Sequence, residues 1–147
     1  MTLKEKLQEE MKVALKNKSQ LKLSVIRLVK AAITNLEIDR GHELDDSEVI
    51  EVLAKEAKQR KDAIIEYEKA GRNDIVESLK MELQILQEYL PAQLSEEELK
   101  AIVQEIIDSV GATSKKDMGK VMAALMPKVK GRADGKVVNQ LVNSFLE

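Results

Sequence analysis

Tyr89-Leu90-Pro91-Ala92-Gln93-Leu94-Ser95-Glu96-Glu97-Glu98 is the stretch that decides how this chain folds. A proline drives the residue before it out of helical geometry, so any helix arriving from upstream must stop at Leu90. Ser95 followed three residues later by Glu98 is the signature of a capping box, in which the serine accepts from the Glu98 N–H and the glutamate reaches back. One helical run therefore closes here and another opens. The break predicts an N-terminal helical domain over 1–92 and a three-helix tail over 93–147.

The same punctuation repeats in both directions. Upstream, Asn73-Asp74 restarts a helix with the apolar stripe Ile75, Leu79, Leu83, Leu86 and Leu90. Before it, Asp45-Asp46-Ser47-Glu48 combines cap residues with acidic first-turn charge and starts a long helix to Ala70, stopped by Gly71. Ser19 is the expected N-cap of a helix running to about Ile38, and residues 2–17 form a first helix with Leu3, Leu7, Met11 (or Glu10) and Leu15 at steps of four. Downstream, the fifth helix runs to Val110 and stops at Gly111. Ser114 or Asp117 caps a sixth helix with the apolar set Met118, Val121, Met122, Leu125 and Met126. Asp134 caps a seventh, with Val137, Val138, Leu141, Val142, Phe145 and Leu146. The reading is all-α, with about seven helices.

Composition agrees with that reading. The chain has 147 residues, 44% of them hydrophobic and only 2% aromatic, so its core must come from Leu, Ile, Val, Ala and Met, which suits helix packing. It has no cysteine, which excludes disulfides, thiolate nucleophiles and Cys-ligated metals. His42 is the only histidine and lacks partners at ligand spacing, and the acidic run Glu43–Glu51 lacks the spacing of a calcium loop. No apolar run approaches the roughly 20 residues needed to span a bilayer, and no signal-peptide core follows Met1, so a soluble cytoplasmic protein is expected. Phosphate-cradling glycine motifs are missing, and no serine sits in a setting that would activate it. No cofactor, metal or catalytic residue is expected.

Charge is unevenly spread. Residues 1–36 carry +5, residues 37–110 carry −11 and residues 111–147 carry +4. The basic end contains Met118-Gly119-Lys120-Val121-Met122 and Pro127-Lys128-Val129-Lys130-Gly131-Arg132-Ala133-Asp134-Gly135-Lys136-Val137-Val138-Asn139. Cations around two glycines, ahead of a helix whose first N–H groups lack intrahelical partners, suit a phosphate. The structural alternative is that the lysines offset a helix C-terminal dipole, Gly131 is a C-cap and Asp134 an N-cap. Lys116 and Lys120 fall opposite Met118, Val121, Met122 and Leu125, so they should be exposed together. Met118, Met122 and Met126 are expected in the core. Gly119 within a helix costs about 1 kcal/mol relative to alanine, and close approach of another helix or a ligand is the expected compensation. Lys22, Arg27 and Lys30 read first as a solvated face and only second as an RNA contact.

Lys58-Gln59-Arg60-Lys61-Asp62-Ala63-Ile64, Tyr67-Glu68-Lys69-Ala70-Gly71-Arg72-Asn73-Asp74, the Tyr89–Ser95 stretch and the Met118–Asn139 stretch together resemble the GatB/YqeY family, most closely its small stand-alone members. The resemblance covers essentially the whole chain. It implies an all-helical protein whose equivalent forms the C-terminal part of the B subunit of the glutamine-dependent Asp/Glu-tRNA amidotransferase, a carbon–nitrogen ligase, where the tail grips the outer corner of tRNA. By that likeness Lys120, Lys128, Lys130, Gly131, Arg132, Gly135, Lys136 and Asn139 are the expected RNA-backbone contacts. An amidotransferase or aminoacyl-tRNA synthetase is the implied protein partner, with no membrane or DNA partner. The B subunit's catalytic cradle is absent from this chain, so the expectation is a non-catalytic tRNA-binding module. A protein–protein adaptor that binds no RNA is the alternative.

Overall fold

Thr2 and Asp45 each open a helix with a complete reciprocal cap. Thr2 Oγ1 accepts from the Glu5 N–H at 3.1 Å while Glu5 Oε2 accepts from the Thr2 N–H at 3.2 Å. Asp45 and Glu48 repeat the exchange at 2.9 and 3.3 Å. Such caps satisfy donors that the helix cannot satisfy itself. In the computed structural model, which describes residues 1–146, they begin α1 (Leu3–Lys16) and α3 (Asp46–Lys69). The remaining helices are α2 (Gln20–Arg40), α4 (Asn73–Gln87), α5 (Glu96–Val110), α6 (Met118–Val129), preceded by a 3₁₀ turn (Lys115–Asp117), and α7 (Gly135–Phe145). The protein is all-α, with seven α-helices and no strand among the described residues.

Two expected caps differ in detail. Ser19 makes no side-chain cap bond. α2 follows instead from the closure of α1, where the Ser19 N–H bonds the Ala14 carbonyl at 2.9 Å and the Lys18 N–H bonds that of Leu15 at 3.3 Å. This is a Schellman motif with Lys18 in left-handed geometry at φ 57°. Ser95 does accept from the Glu98 N–H at 3.1 Å, but Glu98 returns to the serine hydroxyl, which donates to its Oε1 at 3.0 Å.

The chain divides into two compact units, Met1–Leu90 and Pro91–Glu147. The core of the first is built from Leu7, Val25, Ile26, Val29, Ile33, Leu44, Val49, Val52, Leu53, Ala57, Leu86 and Tyr89. Beyond Arg60, α3 and α4 pack chiefly on each other, with Ile64 and Val76 the buried side chains of that distal hairpin. Arg60 lies between them, bonded to Glu56 one turn back and 3.6 Å from Glu82 on α4, with all three side chains mostly buried. Leu15, expected in the first stripe, is 59% exposed and Ala14 is buried in its place. A step of four drifts off a 3.6-residue helix by the fourth repeat.

The second unit is a three-helix bundle of α5, α6 and α7 around Leu99, Val103, Ile106, Ile107, Val121, Leu125, Val129, Val138, Val142 and Leu146. Two more expected core residues lie outside it: Met126 is 38% and Val137 47% exposed. Each sits at the edge of its helix's apolar arc, where a run of adjacent apolar residues is wider than the surface its neighbours can cover.

Candidate nucleic-acid interface

Ser114 caps the 3₁₀ turn before α6, accepting from the Lys116 N–H at 3.3 Å. Asp117, the other expected cap, folds backwards and accepts from the Thr113 N–H at 2.9 Å. That bond, joined by the Ser114 N–H and nearby Lys120, holds its carboxyl below the usual carboxylate range. Val121, Leu125 and Val129 then bury one side of α6, with Met118 and Met122 packed beside them. The opposite side carries Gly119, Lys120, Ala123 and Pro127, all exposed, continuing the side on which Lys116 is exposed in the preceding turn. Pro127 lies within the last turn of α6, so the Ala123 carbonyl lacks its usual helical donor.

The expectation that another helix approaches Gly119 is overturned. A methyl group built there meets nothing within 4 Å. The bundle packs on the far side of α6, and no neighbouring element accounts for the glycine.

Between α6 and α7 the chain turns tightly. Lys130 at φ −56°, ψ 124° precedes Gly131 at φ 73°, and the Arg132 N–H bonds the Val129 carbonyl at 2.9 Å. This is a type II turn, whose third residue needs the positive φ that glycine adopts without strain. The turn is stitched to the segment just before α5. Gln93 Nε2 donates to the Gly131 carbonyl at 2.7 Å, the Leu94 N–H to that of Arg132 at 2.8 Å, and Arg132 Nε to that of Ala92 at 3.1 Å. Gly131 and Arg132 therefore have structural duties, and both are half-buried, as is Lys130.

Asp134 caps α7 as expected, its Oδ1 accepting from the Lys136 N–H at 2.9 Å. The carboxylate thus takes one of the N–H groups that the start of α7 would offer a phosphate, and its charge opposes an anion there. Lys120, Lys128, Gly135, Lys136 and Asn139 are exposed. The eight expected contacts thus fall into a rigid turn (Lys130, Gly131, Arg132), the first turns of α7 (Gly135, Lys136, Asn139) and two separate places on α6 (Lys120, Lys128).

The electrostatics of this region are one-sided. From Lys115 to Leu146 the sequence holds seven Lys/Arg and two acids, Asp117 and Asp134, each bonded to a backbone N–H. Lys116, Lys120, Lys128 and Lys136 enter no ion pair among the described residues. Lys22, by contrast, lies 3.3 Å from Glu10 and 3.6 Å from Glu88, and Lys30 bonds Gln8, so of Lys22, Arg27 and Lys30 only Arg27 is exposed. Among the described residues no three His, Cys, Asp or Glu side chains gather as a metal group. His42 is exposed, its Nδ1 2.9 Å from the Glu43 carbonyl oxygen. Among the described residues no helix is long and apolar enough to cross a membrane. The arrangement can hold an anion by point charges.

Comparison with known proteins gives these features a context. The family profile described as "Yqey-like protein" matches residues 4–146. A protein from Pyrenophora tritici-repentis named "Altered inheritance of mitochondria protein 41, mitochondrial" is 29% identical over 145 residues, 96% of this chain and 79% of that one. Its namesake from Kluyveromyces lactis is 38% identical over 106 residues, covering 69% of this chain and 57% of that protein. A glutamyl-tRNA(Gln) amidotransferase subunit from Thermococcus sibiricus is 40% identical over 72 residues, 46% of this chain and 11% of the archaeal protein. The match therefore spans little more than half of the Kluyveromyces protein and a small part of the archaeal one.

Proposed function

The chain belongs to the YqeY-like protein family, and on that premise we propose that it is a non-catalytic module that binds folded tRNA through phosphate contacts of its C-terminal bundle. The observation that carries this reading is the imbalance from the 3₁₀ turn through α7, where among the described residues four exposed lysines enter no ion pair and Asp117 and Asp134 are bonded to backbone N–H groups. An excess of unneutralised cations on a rigid surface suits a polyanion. The chain is 2% aromatic, which disfavours recognition of single strands by stacking and favours folded RNA. The similarity to part of a protein named for a tRNA amidotransferase supports the same direction. Within this reading the cytoplasm is the proposed compartment; the fungal relatives' names make mitochondria the alternative.

Titrating purified full-length protein with tRNA at two salt concentrations tests the proposal. About three phosphate contacts should weaken binding roughly 40-fold between about 50 and about 200 mM salt, by the duplex relation. Lys128→Glu/Lys136→Glu should remove most of the affinity. Absence of binding at the lower salt would refute the reading.

A second reading, an adaptor for an amidotransferase or synthetase, is favoured by one feature. Ile65, Tyr67 and Met81 are exposed apolar residues on the α3–α4 hairpin. Ile65→Glu/Met81→Glu in the full chain should then abolish co-purification with such a partner while tRNA binding is retained.

A further inference from the structure

Resting on the tRNA reading above, the geometry points to the outer face of α6 as the surface on which the RNA backbone lies, with Lys116, Gly119, Lys120 and Ala123 as its contacts. At the α7 N-terminus the Asp134 carboxylate takes the Lys136 N–H and opposes an anion. The Lys130–Arg132 turn spends its carbonyls and Arg132 Nε on residues 92–94. The outer face of α6 has no such commitment.

Three observations define this face. Lys116, Gly119, Lys120, Ala123 and Pro127 are all exposed, and the bundle packs on the opposite side through Val121, Leu125 and Val129. No residue from Met118 to Val129 is acidic, so an approaching phosphate meets no like charge on the helix itself. Asp117, the nearest acid in sequence, is bonded to the Thr113 N–H and offsets part of the Lys120 charge, so the face keeps a net excess of cations. The charge is thus complementary to RNA and opposed to a basic protein partner. Lys116 stands in the 3₁₀ turn just before α6 and Lys120 in the first turn of α6 itself. Gly119 between them, and Ala123 one turn on, leave the helix backbone low enough for a sugar-phosphate chain to lie between two cations.

Gly119 also supplies a clean probe. A side chain there enters open space and disturbs no neighbour, and leucine is a better helix former than glycine. Gly119→Leu should therefore melt no lower than the wild type yet bind unfractionated tRNA at least about tenfold more weakly. Lys116→Glu/Lys120→Glu should do the same. Lys12→Glu/Lys16→Glu on α1, which changes net charge equally, should alter binding less than about threefold.

Wild-type binding left intact by Gly119→Leu overturns the assignment of this face while the tRNA reading stands. Equal losses in the α1 and α6 charge variants also overturn it, because overall charge alone would then explain both. If the wild-type protein binds no tRNA, the reading itself fails and this inference falls with it. If tRNA is not bound but an acidic helical peptide is, and Gly119→Leu abolishes that binding, the face belongs to a protein and the RNA assignment is likewise overturned.

Discussion

The N-terminal unit and the α6–α7 segment use lysine and arginine in opposite ways. In the first, several cations are spent on the fold. Lys4 lies 2.6 Å from Glu37, Lys22 sits between Glu10 and Glu88, Arg40 reaches Glu48 at 2.7 Å, and Arg60 joins Glu56 to Glu82. In the second, Lys116, Lys120, Lys128 and Lys136 are left facing solvent and the aspartates are spent on backbone N–H groups. A paired cation reports on architecture, whereas an unpaired group of them on a rigid bundle reports on something outside the chain. Net charge, −2 overall, conceals this completely.

The comparison breaks most visibly at Arg60. Its removal leaves Glu56 and Glu82 facing each other in a mostly buried setting, and losing one partner of such a group costs about 3 kcal/mol. Arg60→Ala should lower the urea midpoint of the protein accordingly and leave tRNA affinity unchanged. Lys128→Ala should do the reverse, shifting stability by less than about 0.5 kcal/mol while weakening RNA binding. If both variants move both measurements, the division between structural and functional cations is wrong.

Gly131 sharpens the contrast within the second unit. It holds φ 73° in the turn between α6 and α7, and an L-residue there costs about 1–2 kcal/mol. Gly131→Ala should lower the thermal midpoint. It should affect tRNA binding only as far as the turn positions Lys128, so a large loss of affinity in a protein of unchanged stability would reassign the turn to direct contact.

Most of the architecture was legible because its punctuation is local. Gly71, Gly111, Asp45, Ser95 and Asp134 all act within a turn of themselves, and each begins or ends a helix where its chemistry demands; α4 ends at Gln87, three residues before the Leu90 limit that Pro91 sets. What escaped reading depends on distance. The bond from Gln93 to the Gly131 carbonyl joins residues 38 apart in sequence, and nothing local announces it. Leu15, Met126 and Val137 belong to apolar runs by type, but which member of a run is covered depends on the neighbouring helix. The basic character of the tail was readable as composition. That Asp117 turns away from α6 while Asp134 closes α7 was not, since both residues read equally well as caps.

Lys18 offers a smaller effect of the opposite sign. The α1, α3 and α5 C-termini close with the same pair of bonds, 18→15 and 19→14, 71→68 and 72→67, 111→108 and 112→107. The left-handed position is glycine in the latter two and Lys18 in the first. Lys18→Gly should therefore stabilise the N-terminal unit, by up to about 1 kcal/mol, visible as a raised urea midpoint. Destabilisation instead would mean that the Lys18 side chain makes a contact worth more than the backbone strain.

The subtlest test of the comparison concerns Asp117, because it asks whether an acid spent on backbone N–H groups contributes to the fold at all. Its carboxyl is held below the usual range chiefly by the Thr113 N–H. A depressed folded-state value means the ionised form is preferred in the folded protein, so its contribution is complete above the ordinary value of 3.8 and is lost as pH falls through the lower, folded one. Asp117→Asn, which retains an acceptor but no charge, should be less stable than the wild type at neutral pH. The gap should narrow only below about pH 4, in acid unfolding curves followed by circular dichroism. A gap that stays constant down the whole acid limb would show that Asp117 acts as a neutral hydrogen-bond acceptor, and its charge would then remain free to oppose an anion on α6.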